Sequence, residues 1–385
     1  MSHGVCVAVT SLEYDSHASE AHCTEMAGRP LDHQCRRNSK QRERLSGQDV
    51  AETRVAYNGR DGCDRLSGTP GVDTVLVADA LPERAREVAA DSNVAANRNV
   101  SATESIDAAL DGADAVVIAA ATTAHAGLIR DAIGRGLPTF CEKPLAEDLA
   151  ATLEVARVVE ASGVPFQLGF QRRFDAGYRE ARRLLGSGEL GTLYAFRLAG
   201  HDPAPPHEDY IPASGGLFRD FSIHDFDAIR WLTGDEIAEV YAEGAVRGFP
   251  VFAKYGDVDT AVATLRTDAG ALGVMTVARH DPLGYDIRTE LFGSKDSVSV
   301  GLGPRTPMRS VEPGVAAPAG PAWPNFLDRF KDAYRAELAA FIEVARAEAK
   351  SPCGARDGVE ALRIAEAATR SLHEHRPVRL DEITA

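Results

Sequence analysis

The chain has 385 residues, 44% hydrophobic and 26% charged, with a formal net charge of −15. That length supports about two domains with cores of their own, and the composition is that of an ordinary globular protein. The acidic balance argues against a nucleic-acid or anionic-membrane partner. No run approaches the ~18 apolar residues of a membrane span, and the start lacks a signal-peptide pattern, so a cytoplasmic protein is expected.

Residues 1–70 read unlike the rest. They include Cys35-Arg36-Arg37-Asn38-Ser39-Lys40 and show no sustained period of 2 or 3.6. Four of the six cysteines, Cys6, Cys23, Cys35 and Cys63, fall here, with Cys141 and Cys353 beyond. His22, Cys23, His33 and Cys35 have no Cys-x-x-Cys pair and no finger spacing, so no metal is expected.

From Gly71 the texture changes. Val75-Leu76-Val77-Ala78 predicts a buried strand ending at Asp79, and Pro82 opens a run of helix formers. Strands follow at 115–120, 138–141 and 165–168, with helices at 126–135 and 149–161 between them. Such alternation predicts βαβ units and a parallel sheet. After about residue 190 the pattern becomes strands at 192–199, 238–246, 260–267, 272–279, 285–292 and 297–300, which reads as an open, mostly antiparallel sheet. A Pro-rich loop at 201–214 and a long loop at 302–325 interrupt it, and helices at 325–349 and 357–373 close the chain.

Four pieces could carry chemistry. Asp79 ends a strand before a helix, where an acidic residue in a dinucleotide fold takes the adenosine ribose hydroxyls; it would also serve as a plain turn acid. Glu142-Lys143-Pro144 follows a strand, so Lys143 either donates to a substrate hydroxyl or is a solvated loop lysine. Thr122-Thr123-Ala124-His125 precedes a helix whose threonines can cap it, while His125 fits a first-turn position equally well. Asp220 and His224 are four apart, one helical turn, so that a carboxylate can orient an imidazole base; the alternative is an N-terminal acid and a core histidine.

Three motifs occur in one order: Cys141-Glu142-Lys143-Pro144, then Gln167-Leu168-Gly169-Phe170-Gln171-Arg172-Arg173-Phe174-Asp175, then Gly215-Gly216 with Asp220, His224, Asp225 and Asp227. With Gly284-Tyr285-Asp286-Ile287, they resemble the Gfo/Idh/MocA oxidoreductases over about residues 71–380, inositol 2-dehydrogenases most of all. The resemblance implies an N-terminal Rossmann-like domain, a C-terminal α/β domain with an open sheet, and hydride transfer between NAD and a secondary hydroxyl of a cyclitol or sugar. Asp79 disfavours NADP.

The resemblance makes Lys143, Asp220 and His224 catalytic and puts Arg172, Asp202 and Tyr285 on the substrate. Glu142 and Lys143, with Thr123 and His125, fall near the cofactor. Phe221 stands where a small hydroxyl residue is usual, and Asp202 where asparagine is common. A homo-oligomer, dimer or tetramer, is implied.

The first strand and glycine loop are the gap. Counting back from Asp79 places a short strand at 54–57, with Gly59 and Gly62 as a fragment of Gly-x-Gly-x-x-Gly, and Cys63-Asp64-Arg65-Leu66-Ser67 offers a poor apolar face. The expected division is an atypical segment 1–53 outside the native fold, a cofactor domain 54–144 and a substrate and oligomerisation domain 145–385. A shifted reading frame, a degenerate loop or lost cofactor binding would each explain the gap. The last would leave a non-catalytic sugar-binding or scaffold protein, but Lys143, Asp220 and His224 favour a dehydrogenase.

Overall fold

A computed structural model describes residues 5–10, 61–91 and 99–384. The chain forms two compact units, Met1–Ala124 and His125–Ala385.

In the first unit, β1 (Val5–Thr10), β2 (Thr74–Asp79), β3 (Asn99–Ala102) and β4 (Ala115–Ile118) are parallel, in the order β3-β2-β1-β4. The run Val-Cys-Val-Ala-Val-Thr has the β-branched content of a strand. In register, Thr10 stands opposite Asp79, and Cys6–Val9 opposite Ala115–Ile118. The sheet therefore has its first strand, fifty residues before the expected position. Residues 5–10 belong to the fold, which corrects the expectation that 1–53 lies outside it; so short an apolar run in an unusual context carries little strand signal. Residues 54–57 and Gly59 lie outside the described residues.

Helix α1 (Asp61–Ser67) contains Gly62, and it does bury an apolar face: Cys63 and Leu66 are fully buried. Only two apolar side chains are needed on so short a helix. Helix α2 (Pro82–Ala90) starts on the expected proline, and α3 (Ile106–Asp111) is capped by Ser105, whose hydroxyl accepts from Ala108 N. Chain order reverses on the two sides of β1, so the carboxyl ends of β1 and β4 flank the position where open α/β sheets take ligands. Asp79 ends the neighbouring strand β2.

Helix α4 (Thr122–Gly134) spans the division between the units, which falls between Ala124 and His125 rather than at 144. The reason is packing. Strands β5 (Thr139–Glu142) and β6 (Phe166–Gly169) pair in parallel around helix α5 (Leu149–Ser162) and are bound to the C-terminal helices of the same unit. Leu168 N donates to Cys353 O at 2.9 Å, Gln167 Nε2 to Glu337 O at 3.0 Å, and the rings of Phe140 and Phe341 are 5.8 Å apart.

Helix α6 (Ala176–Gly186) is capped by Asp175. Seven further strands form the second sheet: β7 (Leu193–His201), β8 (Ile237–Ala245), β9 (Thr260–Thr267), β10 (Leu272–Ala278), β11 (Asp286–Gly293), β12 (Ser297–Val300) and β13 (Val378–Arg379). Their order is β12-β11-β7-β10-β9-β8-β13, antiparallel except for β7 beside β10. Residues in β9 and β10 alternate buried and exposed, the period of a sheet with one covered face. Helix α7 (Ile223–Thr233), closed by Gly234 at φ 65°, packs against α9 (Ala355–Glu374), and α9 lies on β8. Helix α8 (Lys331–Ala345) packs on β6; the expected helix 325–349 is broken at Phe330, with a separate turn at Phe326–Arg329.

Candidate active site

The second unit gathers Lys143, Asp202, Tyr210, Asp220 and Arg279. Lys143 follows β5 at a cis Lys143–Pro144 bond. The next residue's carbonyl is pinned: His125 Nδ1 lies 2.6 Å from Pro144 O. His125 is buried in this role, so it supports the lysine loop. Thr122 and Thr123 are the first residues of α4, so neither precedes it as a cap. Glu142 lies against Gly169 of β6, where a Cβ would come within 2.9 Å of its Oε2.

Asp220 lies in a π turn, Phe218–Ser222, that runs into α7. A π turn holds one more residue than an α turn, so the four-residue spacing no longer stacks side chains as expected. The carboxylate of Asp220 accepts from Tyr210 OH at 2.8 Å on Oδ1 and from Arg279 Nη1 at 2.7 Å on Oδ2. Lys143 Nζ donates to the main-chain O of Asp220 at 2.9 Å and is 3.7 Å from Oδ1. Burial alone would raise the Asp220 pKa, but Arg279, Lys143 and the hydrogen bonds hold it below the usual carboxylate range.

His224 is half-buried and stands edge-on to Phe170, centroids 5.7 Å apart. Its Nδ1 is buried and has no hydrogen-bond partner among the described residues. Asp220 is therefore not the group that orients it. Burial, then the charges of Lys143 and Arg172, push its pKa well below the ordinary histidine value. The ring is neutral, and with Nδ1 enclosed the remaining nitrogen, Nε2, can accept a proton.

Asp202 follows β7, its Oδ2 3.7 Å from Arg279 Nη1, and burial pushes its carboxyl up to about 7 against the pull of Arg279. Arg172 is 2% exposed and bonded to Asp225 at 2.5 Å, with its guanidinium over the Phe330 ring. Tyr285 is buried edge-on to Phe326 and Phe330, and burial raises its pKa. The structure thus brings Asp202 to Lys143 and Asp220, and buries Arg172 and Tyr285. Phe221 turns inward against Gly200, where any side chain would collide with its ring.

Sequence reasoning missed Tyr210 and Arg279. Tyr210 sits in the Pro-rich 201–214 segment, where an aromatic beside Glu208 and Asp209 was the available signal. Arg279 directly follows β10, and its partners are distant in sequence.

In the first unit, Asp79 is 4% exposed at the carboxyl end of β2, and its Oδ1 accepts from Leu81 N at 2.8 Å. An anionic acceptor there fits the ribose hydroxyls of NAD and repels a 2′-phosphate. His201, Asp281 and Asp286 offer ligand atoms close together, but Arg288 already neutralises Asp286 at 2.9 Å.

Residues 55–170 match the model described as the oxidoreductase family, NAD-binding Rossmann fold, and 178–299 match the GFO/IDH/MocA C-terminal domain. The first match begins downstream of β1. The chain is 40% identical over 322 residues to the myo-inositol dehydrogenase Hyg17 of Streptomyces leeuwenhoekii, covering 80% of this chain and 95% of that one. Among solved structures, a myo-inositol dehydrogenase from Corynebacterium glutamicum superposes with a TM-score of 0.75 at 33% identity, covering 84% of this chain and 95% of that one. A scyllo-inositol dehydrogenase from Lactobacillus casei, with bound NAD(H) and scyllo-inositol, gives 0.72 at 26% identity, covering 84% and 97%.

Proposed function

The chain belongs to the GFO/IDH/MocA oxidoreductase family, and we propose that it is an NAD-dependent dehydrogenase acting on a secondary ring hydroxyl of a cyclitol, of the inositol 2-dehydrogenase kind. One observation carries the reading: an ammonium, Lys143, held 2.9 Å from the main chain of Asp220, four residues before a neutral histidine. A binding protein has no use for that combination, whereas alcohol oxidation needs a proton acceptor and a cation for the developing alkoxide. The named relatives support the substrate class.

NAD, when bound, supplies the hydride acceptor. Asp79 would hold its ribose, and the negative charge selects NAD over NADP. His224 takes the hydroxyl proton on its free ring nitrogen. Lys143 donates to the reacting oxygen and favours its ionised form, while Asp220 keeps the lysine in place. Asp202 presents a carboxyl oxygen to neighbouring hydroxyls. Phe221, lodged against Gly200, is withdrawn from the substrate, so its bulk does not narrow the site.

We also propose that the open face of the second sheet meets a second copy of the chain. Val262, Leu272 and Val274 are exposed at 48%, 59% and 40% on adjacent strands β9 and β10, an apolar strip that a partner would cover. No helix among the described residues is long and apolar enough to cross a membrane.

The test is NADH formation by the full chain with myo-inositol, scyllo-inositol and common aldoses. Cyclitol-dependent NADH formation that His224→Gln abolishes supports the reading; NAD binding without turnover on any of these sinks it. Light scattering of Val274→Asp against the parent tests the interface, and an unchanged mass would refute it.

A further inference from the structure

We infer that Arg279 is a positioning residue of this site: it fixes the carboxylate of Asp220, and through it the ammonium of Lys143, as a cation shared by two carboxylates. The inference rests on the dehydrogenase reading for its kinetic consequences, while its geometry stands alone.

The backbone places Arg279 rigidly. Ala278, the last residue of β10, is paired with His201 of β7, and the ladder continues one step: Asp202 N donates to Ala278 O at 3.0 Å. Arg279 N donates to Asp259 O at 2.8 Å. Asp259 is itself locked, accepting from Arg247, Gly248 and Phe249 N at 2.7 to 2.8 Å. Arg279 and Asp202 thus leave the sheet side by side from strands that cannot slide past each other.

The side chain is buried and held through one nitrogen, with Nε and Nη2 unpaired among the described residues. Arg279 is 2% exposed, and its Nη1 spans Asp220 Oδ2 at 2.7 Å and Asp202 Oδ2 at 3.7 Å. The groups facing one another here are Lys143 from the loop after β5, Asp202 from the end of β7, Tyr210, Asp220 from the π turn, Asp257 before β9, and Arg279 itself. Lys143 and Arg279 face the ionised Asp220 and an Asp202 whose carboxyl burial pushes up to about 7. Without Arg279, the Asp202 carboxyl would rise further and hold a proton, and the direct pull of Asp220 Oδ1 on Nζ would no longer be opposed.

Tyr210 cannot replace it. Asp220's charge, then burial, raise its pKa well above the ordinary phenol value, so it remains a neutral donor on the other oxygen. Arg279 is the group that both orients Oδ2 and keeps the carboxyl ionised, which the depressed pKa of Asp220 reflects.

The experiment compares the full chain with Arg279→Gln and Arg279→Lys. Carboxyl resonances of 13C-aspartate-labelled protein, assigned with Asp202→Asn and Asp220→Asn, report ionisation without requiring activity. In Arg279→Gln the Asp220 carboxyl should titrate higher by about 1 pH unit or more. kcat should fall roughly 10²-fold, and the KM for NAD should hold. Arg279→Lys should restore the titration while recovering only part of kcat, because it keeps the charge but moves the nitrogen that spans the two acids. An Asp220 titration unchanged in Arg279→Gln would overturn the inference, as would an Arg279→Lys variant that fails to bring it back. A parent inert toward cyclitols would sink the dehydrogenase reading, and the carboxyl titration would still decide the role of Arg279.

Discussion

Arg172→Met should be a stability mutation first and a kinetic one second. The arginine is 2% exposed and its partner Asp225 1%, at 2.5 Å, so the pair is shielded from water and salt. Methionine keeps much of the aliphatic volume but leaves a carboxylate buried without its cation. Breaking one side of such a pair costs about 3–5 kcal/mol. At roughly 2–4 °C per kcal/mol for domains of this size, the melting temperature should fall by about 6–20 °C. Asp225 already has one oxygen, Oδ2, without a partner among the described residues, so little is at hand to compensate. Removing both charges, as Arg172→Met with Asp225→Leu, should recover most of the loss, since the desolvation cost goes with them. Urea unfolding of the parent, both singles and the double gives the coupling energy. A single-mutant loss below about 1 kcal/mol, or a double no more stable than Arg172→Met, would refute the reasoning. An intact melting temperature with a raised KM for cyclitol would return Arg172 to direct substrate contact.

His224→Gln should lower kcat by about 10²–10⁴-fold with the KM for NAD unchanged, read by steady-state NADH formation. The same variant tests the histidine's pKa through stability. Wild-type His224 stays neutral in the folded protein where an unfolded chain protonates near pH ~6.5. Folded chains then bind fewer protons, so wild type should lose stability relative to His224→Gln only as pH falls below ~6.5, levelling off below the folded pKa. Equal stability differences at pH ~7.5 and pH ~5, on the two sides of the unfolded value, would contradict the depressed pKa. Asp79→Ser should raise the KM for NAD and improve NADP relative to NAD, because it removes both an acceptor and a repelling charge; an unchanged ratio would remove Asp79 from the ribose site.

The alternation of strands and helices from Gly71 onward was legible because it depends on local periodicity, and Val75–Ala78, Ala115–Ile118 and 149–161 appear where expected. β1 was not, because six apolar and β-branched residues in an atypical flank carry little signal until β2 and β4 pair with them. Lys143 could be placed by its strand-end position. The partners of Asp220 could not: a π turn is invisible to a four-residue spacing rule, and Tyr210 and Arg279 reach the carboxylate from 10 and 59 residues away. The arginine behind Asp225 was recognised as part of a motif, but only burial shows that it faces a neighbouring acid.

The lysine's main contact is with the main-chain carbonyl of Asp220. A carbonyl is encoded by every amino acid, so that half of the anchor survives any substitution at position 220 that keeps the π turn. Change at this position can therefore retune the charge near the lysine without uprooting it. A single-residue deletion between Phe218 and Ser222, which would convert the wide turn into an ordinary one, is the lesion to which the site is genetically exposed.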